Sequence, residues 1–176
     1  MKVGLVLPLF SGEPERVLAF AERAERLGFD GVFAFDHLFP PGASADRPSL
    51  EAFSMLSAVA ARTERIAVGT LVTRATLRSA GMIAKLAASV DGVSHGRMIL
   101  AVGTGDPIDE PEHRVFGIPY LDKAERRDHL VETVRAVRAL FDARPWPGGT
   151  HVPAMSGPLL PRPASQLFRV QIGSCV

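Results

Sequence analysis

Asp36-His37 and Gly103-Thr104-Gly105-Asp106 are the segments of this sequence whose residue types and positions could do acid–base or redox chemistry. The first joins a carboxylate to an imidazole, the side-chain type that exchanges protons near neutral pH. The second places a tight turn and another carboxylate after an apolar run, and Thr70 and Thr73 flank the end of a third run. Each has a bland reading as well. An Asp-His dipeptide more often only closes a strand, and Gly-Thr-Gly is a turn before it is an anion cradle. For Asp36-His37 the strand-end position tips the balance toward a functional role. His95, His113, His129 and His151 lie in loops or on a polar helix face without metal-ligand spacing, so they read as solvated surface and no metal is expected. Arg126-Arg127 reads as a solvated helix face in the same way.

The elements that must hold these residues alternate along the chain. Val3–Leu7 reads as a strand buried on both faces, and Val17, Phe20, Ala21, Ala24 and Leu27 stripe a helix that Gly28 ends. Gly31–Phe35 is the second strand, followed by a loop rich in Pro, Gly and Ser from Phe39 to Ser49. A helix over Glu51–Arg62 leads to the third strand, Ile66–Val72, and a helix carrying Met82, Ile83, Leu86, Ala87 and Val90 leads to the fourth, Met98–Val102. Leu130, Val134, Val137 and Phe141 stripe the fourth helix. Prolines and glycines then crowd the stretch from Ala143 to Ser165, which reads as an irregular insertion, and Phe168–Gly173 reads as a fifth strand. Strand–helix alternation with short loops argues for parallel βαβ units, since a parallel return needs a crossover.

Composition narrows the function classes. In 176 residues, 47% hydrophobic and 22% charged content suits one globular domain rather than a disordered chain. The net charge of +1 comes from interleaved acids and bases, so no basic face points to nucleic acid or membrane. Cys175 stands alone, which excludes an intrachain disulfide and a thiolate metal site and fits a reducing cytosol. Pro8 and Glu13 interrupt the apolar opening too early for a signal peptide, and no run approaches about 18 apolar residues.

Alternating units of this kind close as a small doubly wound sheet or form half of an eight-fold barrel. The turn after the first strand reads Pro8-Leu9-Phe10-Ser11-Gly12 and lacks G-x-G-x-x-G, which removes the main support for a dinucleotide fold. Polar residues collect instead past the carboxy ends of successive strands, the face on which barrel enzymes build their sites. The expected fold is α/β: a partial (β/α)8 TIM barrel with a parallel sheet, about four βα units and a fifth strand. Residues 1–142 are expected to form the barrel half, 143–167 the insertion, and 168–176 a fifth strand and truncated end.

The segments K-V-G-L-V-L-P, D-G-V-F-A-F-D-H, A-V-G-T-L-V-T and I-A-K-L-A-A-S-V-D-G-V-S-H-G-R-M-I-L-A-V-G-T-G, in this order and spacing, resemble the luciferase-like monooxygenases, and within them the branch that uses the deazaflavin F420. That resemblance implies an oxidoreductase passing hydride between F420 and a small organic substrate, with FMN-dependent oxygenation as the alternative of the same fold. It implies proton transfer by His37 and cofactor contact by Asp36. It places a bulge, often with a non-prolyl cis peptide, at Leu71-Val72-Thr73 against the face of the redox ring. It brings Gly103, Thr104 and Gly105 to the cofactor and gives Asp106 the acid or base position that sugar-phosphate dehydrogenases of the branch fill with a longer glutamate. Asp109 falls where some relatives use an amide for cofactor contact. Those enzymes also carry a tryptophan shortly after the Asp-His pair, where this chain has Leu38-Phe39-Pro40-Pro41, so the sugar phosphate is not carried over.

In relatives the fifth strand leads to a loop and helix that bind the cofactor phosphate, and Gln171-Ile172-Gly173-Ser174 looks like the start of that segment. The expectation from the sequence as it stands is that three further strands are missing. A non-catalytic remnant or assembly subunit is therefore the competing reading, and unpaired edges at the first and fifth strands admit a homodimer.

Overall fold

The computed structural model describes residues 1–42 and 45–164, and the backbone of 169–172. Phe168 and Gly173, expected to end the fifth strand, lie outside the described residues, as does Cys175. The elements run β1 (Gly4–Val6), α1 (Pro14–Arg26), β2 (Gly31–Ala34), α2 (Ala52–Arg62), β3 (Ala67–Thr70), β4 (Thr73–Arg74), α3 (Ala80–Val93), β5 (Met98–Gly103), α4 (Glu110–Val115), α5 (Lys123–Phe141) and β6 (Arg169–Ile172). Among the described residues no helix is long and apolar enough to cross a membrane.

All the strand pairs are parallel, in the order β1-β2-β3-β5, with β4 and β6 also paired to β5. This is the α/β architecture the alternation implied. Each helix starts where its sequence allows. Pro14 occupies the first turn of α1, the Glu51 carboxylate accepts from the amides of Phe53 and Ser54 at α2, and Ser79 caps α3. Asp122 and Glu125 form a reciprocal capping box at α5. The helices bury their apolar stripes on one side of the sheet, where Val17, Leu56, Val59, Ile83, Ala87 and Val137 pack with Val32, Val68, Leu100 and Val102.

β3 and β4 are two parts of one interrupted strand. Gly69 pairs with Ile99 and Thr73 with Val102, so one more residue is spent on this strand than on β5. The surplus is a bulge, and the Leu71-Val72 peptide within it is cis.

Three expectations are corrected. The first strand is not buried on both faces: Val3 and Val6 are 39% and 38% exposed, and among the described residues β1 pairs only with β2. His113 is not surface but buried, its Nδ1–H donating to the Pro119 carbonyl at 2.9 Å and its ring set edge-on to Tyr120. Arg126 is likewise buried, with its guanidinium 4.8 Å over the Tyr120 ring, while its neighbour Arg127 is exposed. The loop carrying Tyr120 turns back between α4 and α5 and covers both. Helical periodicity does not register a partner that comes from another segment.

Residues 143–164 contain neither helix nor ladder strand, yet they are fastened. Trp146 and Met155 exchange backbone hydrogen bonds of 2.9 Å, and the half-buried Glu132 carboxylate of α5 accepts from the amides of Thr150, His151 and Val152.

Candidate functional site

A cavity of about 270 Å³ opens at the carboxy ends of the strands. Asp36, His37, Leu71, Val72, Thr104, Gly105, Asp106 and Asp109 all line it, so the segments after β2, in the β3–β4 bulge and after β5 meet on one rim. Thr73 and Gly103 do not reach it. Both are buried in the sheet, where the Thr73 hydroxyl donates to Asp36 Oδ2 at 2.5 Å and the Gly103 carbonyl accepts from Ala75. Thr70 is also structural, exchanging hydrogen bonds with the backbone of Ala101. A larger hollow of about 580 Å³ lies at the opposite end of the strands. Its principal charged groups are already spent on backbone: Glu25 accepts from the amides of Glu64, Arg65 and Ile66, and Arg97 donates to the carbonyls of Ala60, Thr63 and Ile66.

The Asp36 carboxylate is buried and committed. Arg78 donates to both of its oxygens at 2.6 and 3.0 Å and to Glu51 at 2.7 Å, and stacks over Phe53. Burial opposes the charge on Arg78, but Asp36 and Glu51 outweigh it and hold the guanidinium above its ordinary range. Burial also opposes the charge on Glu51, and hydrogen bonds from Ser54 and the charge of Arg78 overcome it, leaving that carboxyl lowered. Asp36 thus fastens the end of β2 to the start of α3.

His37 presents a partly exposed ring to the cavity, edge-on to Phe10 and Phe35 at 6.1 and 6.3 Å between centroids. Its Nδ1 lies 2.8 Å from Glu112 Oε1. Glu112 is fully buried, and its other oxygen accepts from the Leu38 amide at 2.5 Å and from Arg74 Nη2 at 2.7 Å. Desolvation raises the Glu112 carboxyl, but the bonds from His37 and Leu38 and the charge of Arg74 prevail, so its pKa lies below the ordinary carboxylate value. Arg74 Nη1 sits 3.4 Å from Asp109 Oδ2, an oxygen that also accepts from the Asp106 amide at 2.6 Å. Gly105 bends this loop at φ +75°, where a Cβ would meet Arg74 Cδ and Asp109 Oδ2 at 3.1 Å.

Arg74, Arg78, Glu112 and the phenylalanine pair were not found from the sequence. The available signal was Arg74 itself, since an arginine at the end of a buried strand needs carboxylate partners. His37, Asp109 and Glu112 bring donor atoms of metal-ligating type within 4.8 Å of one another. The Arg74 guanidinium lies against both carboxylates, so the cluster reads as an ion-pair network.

A parallel sheet whose cavity lies at the carboxy ends of its strands, with the helices packed on the sheet, is the architecture of a (β/α) barrel enzyme. The chain belongs to the luciferase-like monooxygenase family, whose sequence model matches residues 1–174. It is 34% identical over 152 residues to an F420-dependent glucose-6-phosphate dehydrogenase of Beutenbergia cavernae, covering 85% of this chain and 44% of the relative. Among solved structures it is similar to an F420-dependent secondary alcohol dehydrogenase in complex with an F420–acetone adduct, with a TM-score of 0.85, 24% identity, and 98% of this chain covering 52% of that one. A monooxygenase from Streptomyces bottropensis matches with a TM-score of 0.77 and 27% identity, over 98% of this chain and 53% of that one. The chain therefore spans about half the length of the relatives it matches.

Proposed function

We propose that this chain supplies the ring-binding half of an F420-dependent oxidoreductase that passes hydride between the deazaflavin and a small organic substrate. The observation that carries the reading is the convergence of Asp36-His37, the Leu71-Val72 bulge and the Thr104–Asp106 loop on one cavity. The residues suit such a group. At about 270 Å³ the cavity is near the low end for ligand pockets, which run from roughly 300 Å³ upward. It has room for a planar ring head but leaves the phosphate-bearing tail outside. Leu71 and Val72 offer an apolar wall, and the aromatic pair Phe10 and Phe35 supports the imidazole.

When bound, F420 would accept or give hydride. The chain's own contribution is orientation and proton handling. His37 is the group to exchange the coupled proton with substrate, and the half-buried Asp106 carboxylate on the same cavity is the second candidate. Asp36 acts by fixing the strand end that carries His37. On the same reading residues 1–142 are the barrel half, the irregular stretch after α5 is an insertion, and β6 is the fifth strand.

Titration of the purified protein with F420 tests this directly. Quenching of F420 fluorescence with saturation is the expected result. Retention of FMN on gel filtration without F420 quenching would favour the oxygenase alternative, and failure to hold either cofactor would leave the non-catalytic reading.

A further inference from the structure

We propose that Glu112 is a positioning residue that locks His37 in the Nδ1-protonated form and so makes Nε2 the nitrogen that meets the ligand. The tautomer follows from geometry alone, and its use in catalysis rests on the reading above. An ionised carboxylate can only accept hydrogen bonds, so the 2.8 Å contact requires Nδ1 to carry the proton. Glu112 has no freedom to offer anything else. Its second oxygen is held by the Leu38 amide and by Arg74, both of which donate. Glu112 does not line the cavity whereas His37 does, so Nδ1 is turned to the protein side. Among the described residues Nε2 has no hydrogen-bond partner, so in the neutral ring it is the nitrogen that carries the lone pair.

The connection to Leu38 adds a second constraint. Glu112 grips both the imidazole and the backbone amide of the next residue, so ring and main chain are fixed by one side chain. Arg74 completes the arrangement by balancing the buried charge, and it leaves the β3–β4 bulge just where that strand re-pairs with β5. In an alcohol oxidation, the hydroxyl proton would pass to Nε2 as hydride leaves the same carbon for F420, giving a carbonyl and an imidazolium. The Glu112 carboxylate would then face that new positive charge. The dyad therefore orients the base before the reaction and stabilises its protonated form afterwards.

The test is ¹⁵N NMR of the full chain in alkaline buffer, where imidazoles are neutral, with H37N used to assign the ring signals. The wild type is expected to show a protonated Nδ1 and an unprotonated Nε2. Glu112→Gln, whose amide can donate as well as accept, is expected to lose that single tautomer while circular dichroism confirms its fold. A wild-type ring protonated at Nε2 overturns the proposal, as does a folded E112Q with an unchanged tautomer. Should E112Q fail to fold, the wild-type spectrum still decides. With F420 and a turned-over alcohol, E112Q should lose kcat on the order of 100-fold with KM little changed, and a folded variant with wild-type kcat also overturns the role. Failure to bind F420 would count against the functional reading and leave the NMR result standing.

Discussion

Glu112 and Asp36 each keep a buried negative charge against an arginine, and each makes the fold sensitive to losing it. The Glu112 carboxyl is lowered in the folded protein, so folding favours its ionised form. Its contribution is complete above the ordinary unfolded carboxyl value of about 4.3 and disappears as pH falls through the lower folded value. Urea midpoints measured from neutral pH downward should therefore drop below about pH 4.3, and E112Q, if it folds, should show a shallower drop. D36N should cost about 3 kcal/mol by urea denaturation, near the lower end for a broken buried pair, because Arg78 retains Glu51. Asp36, His37 and Asp106 could be picked out in the sequence because they follow apolar runs that are legible by themselves. Arg74 and Glu112 could not, since they stand 38 residues apart and only the folded chain brings them together.

For the strands and helices, regular apolar spacing located each long element, with its ends corrected by caps. α5 begins at Lys123, well before its first striped leucine, because Asp122 and Glu125 form the capping box. α4 and β4 are too short for a periodic signal, and the bulge is a property of two paired registers rather than of one segment. Gly69 shows how tightly β3 is seated: a Cβ there would lie 2.5 Å from the Ile99 carbonyl oxygen and 3.0 Å from the Phe33 ring. Backbone cannot yield as a side-chain tip can, so G69A should cost about 2 kcal/mol in thermal or urea unfolding. Glu132 fastens the irregular stretch by accepting from three successive amides. Hydrogen exchange should accelerate at Thr150, His151 and Val152 in E132A while the amides of β3 and β5 keep their protection.

Across the whole molecule, the cavity depends on parallel strands that end at one level, and the sheet order places β2, β3 and β5 side by side to achieve this. That much followed from the alternation and from polar residues recurring at the strand ends. The exposure of β1 did not, because a run of β-branched and leucine residues reads alike whether or not a neighbour covers it. Among the described residues β1 has no second neighbour, and a strand edge in that state, with Val3 and Val6 partly exposed, is a template for association. V6K should reduce self-association measured by light scattering and leave the urea midpoint within about 0.5 kcal/mol of the parent.

The surplus residue between Gly69 and Thr73 has a consequence for tolerance to insertion and deletion. Gly69 and Thr73 pair with Ile99 and Val102, which face opposite sides of the sheet, so removing one residue between them would restore simple alternation and leave Thr73 and Arg74 on the faces they already occupy. Arg74 would keep its place beside Glu112 and Asp109, and what would be lost is the bulge that brings Leu71 and Val72 to the cavity. A single-codon deletion at Leu71 or Val72 would thus yield a folded protein with its ion pairs intact and one wall of the cavity missing, an injury to binding that no probe of secondary structure would detect.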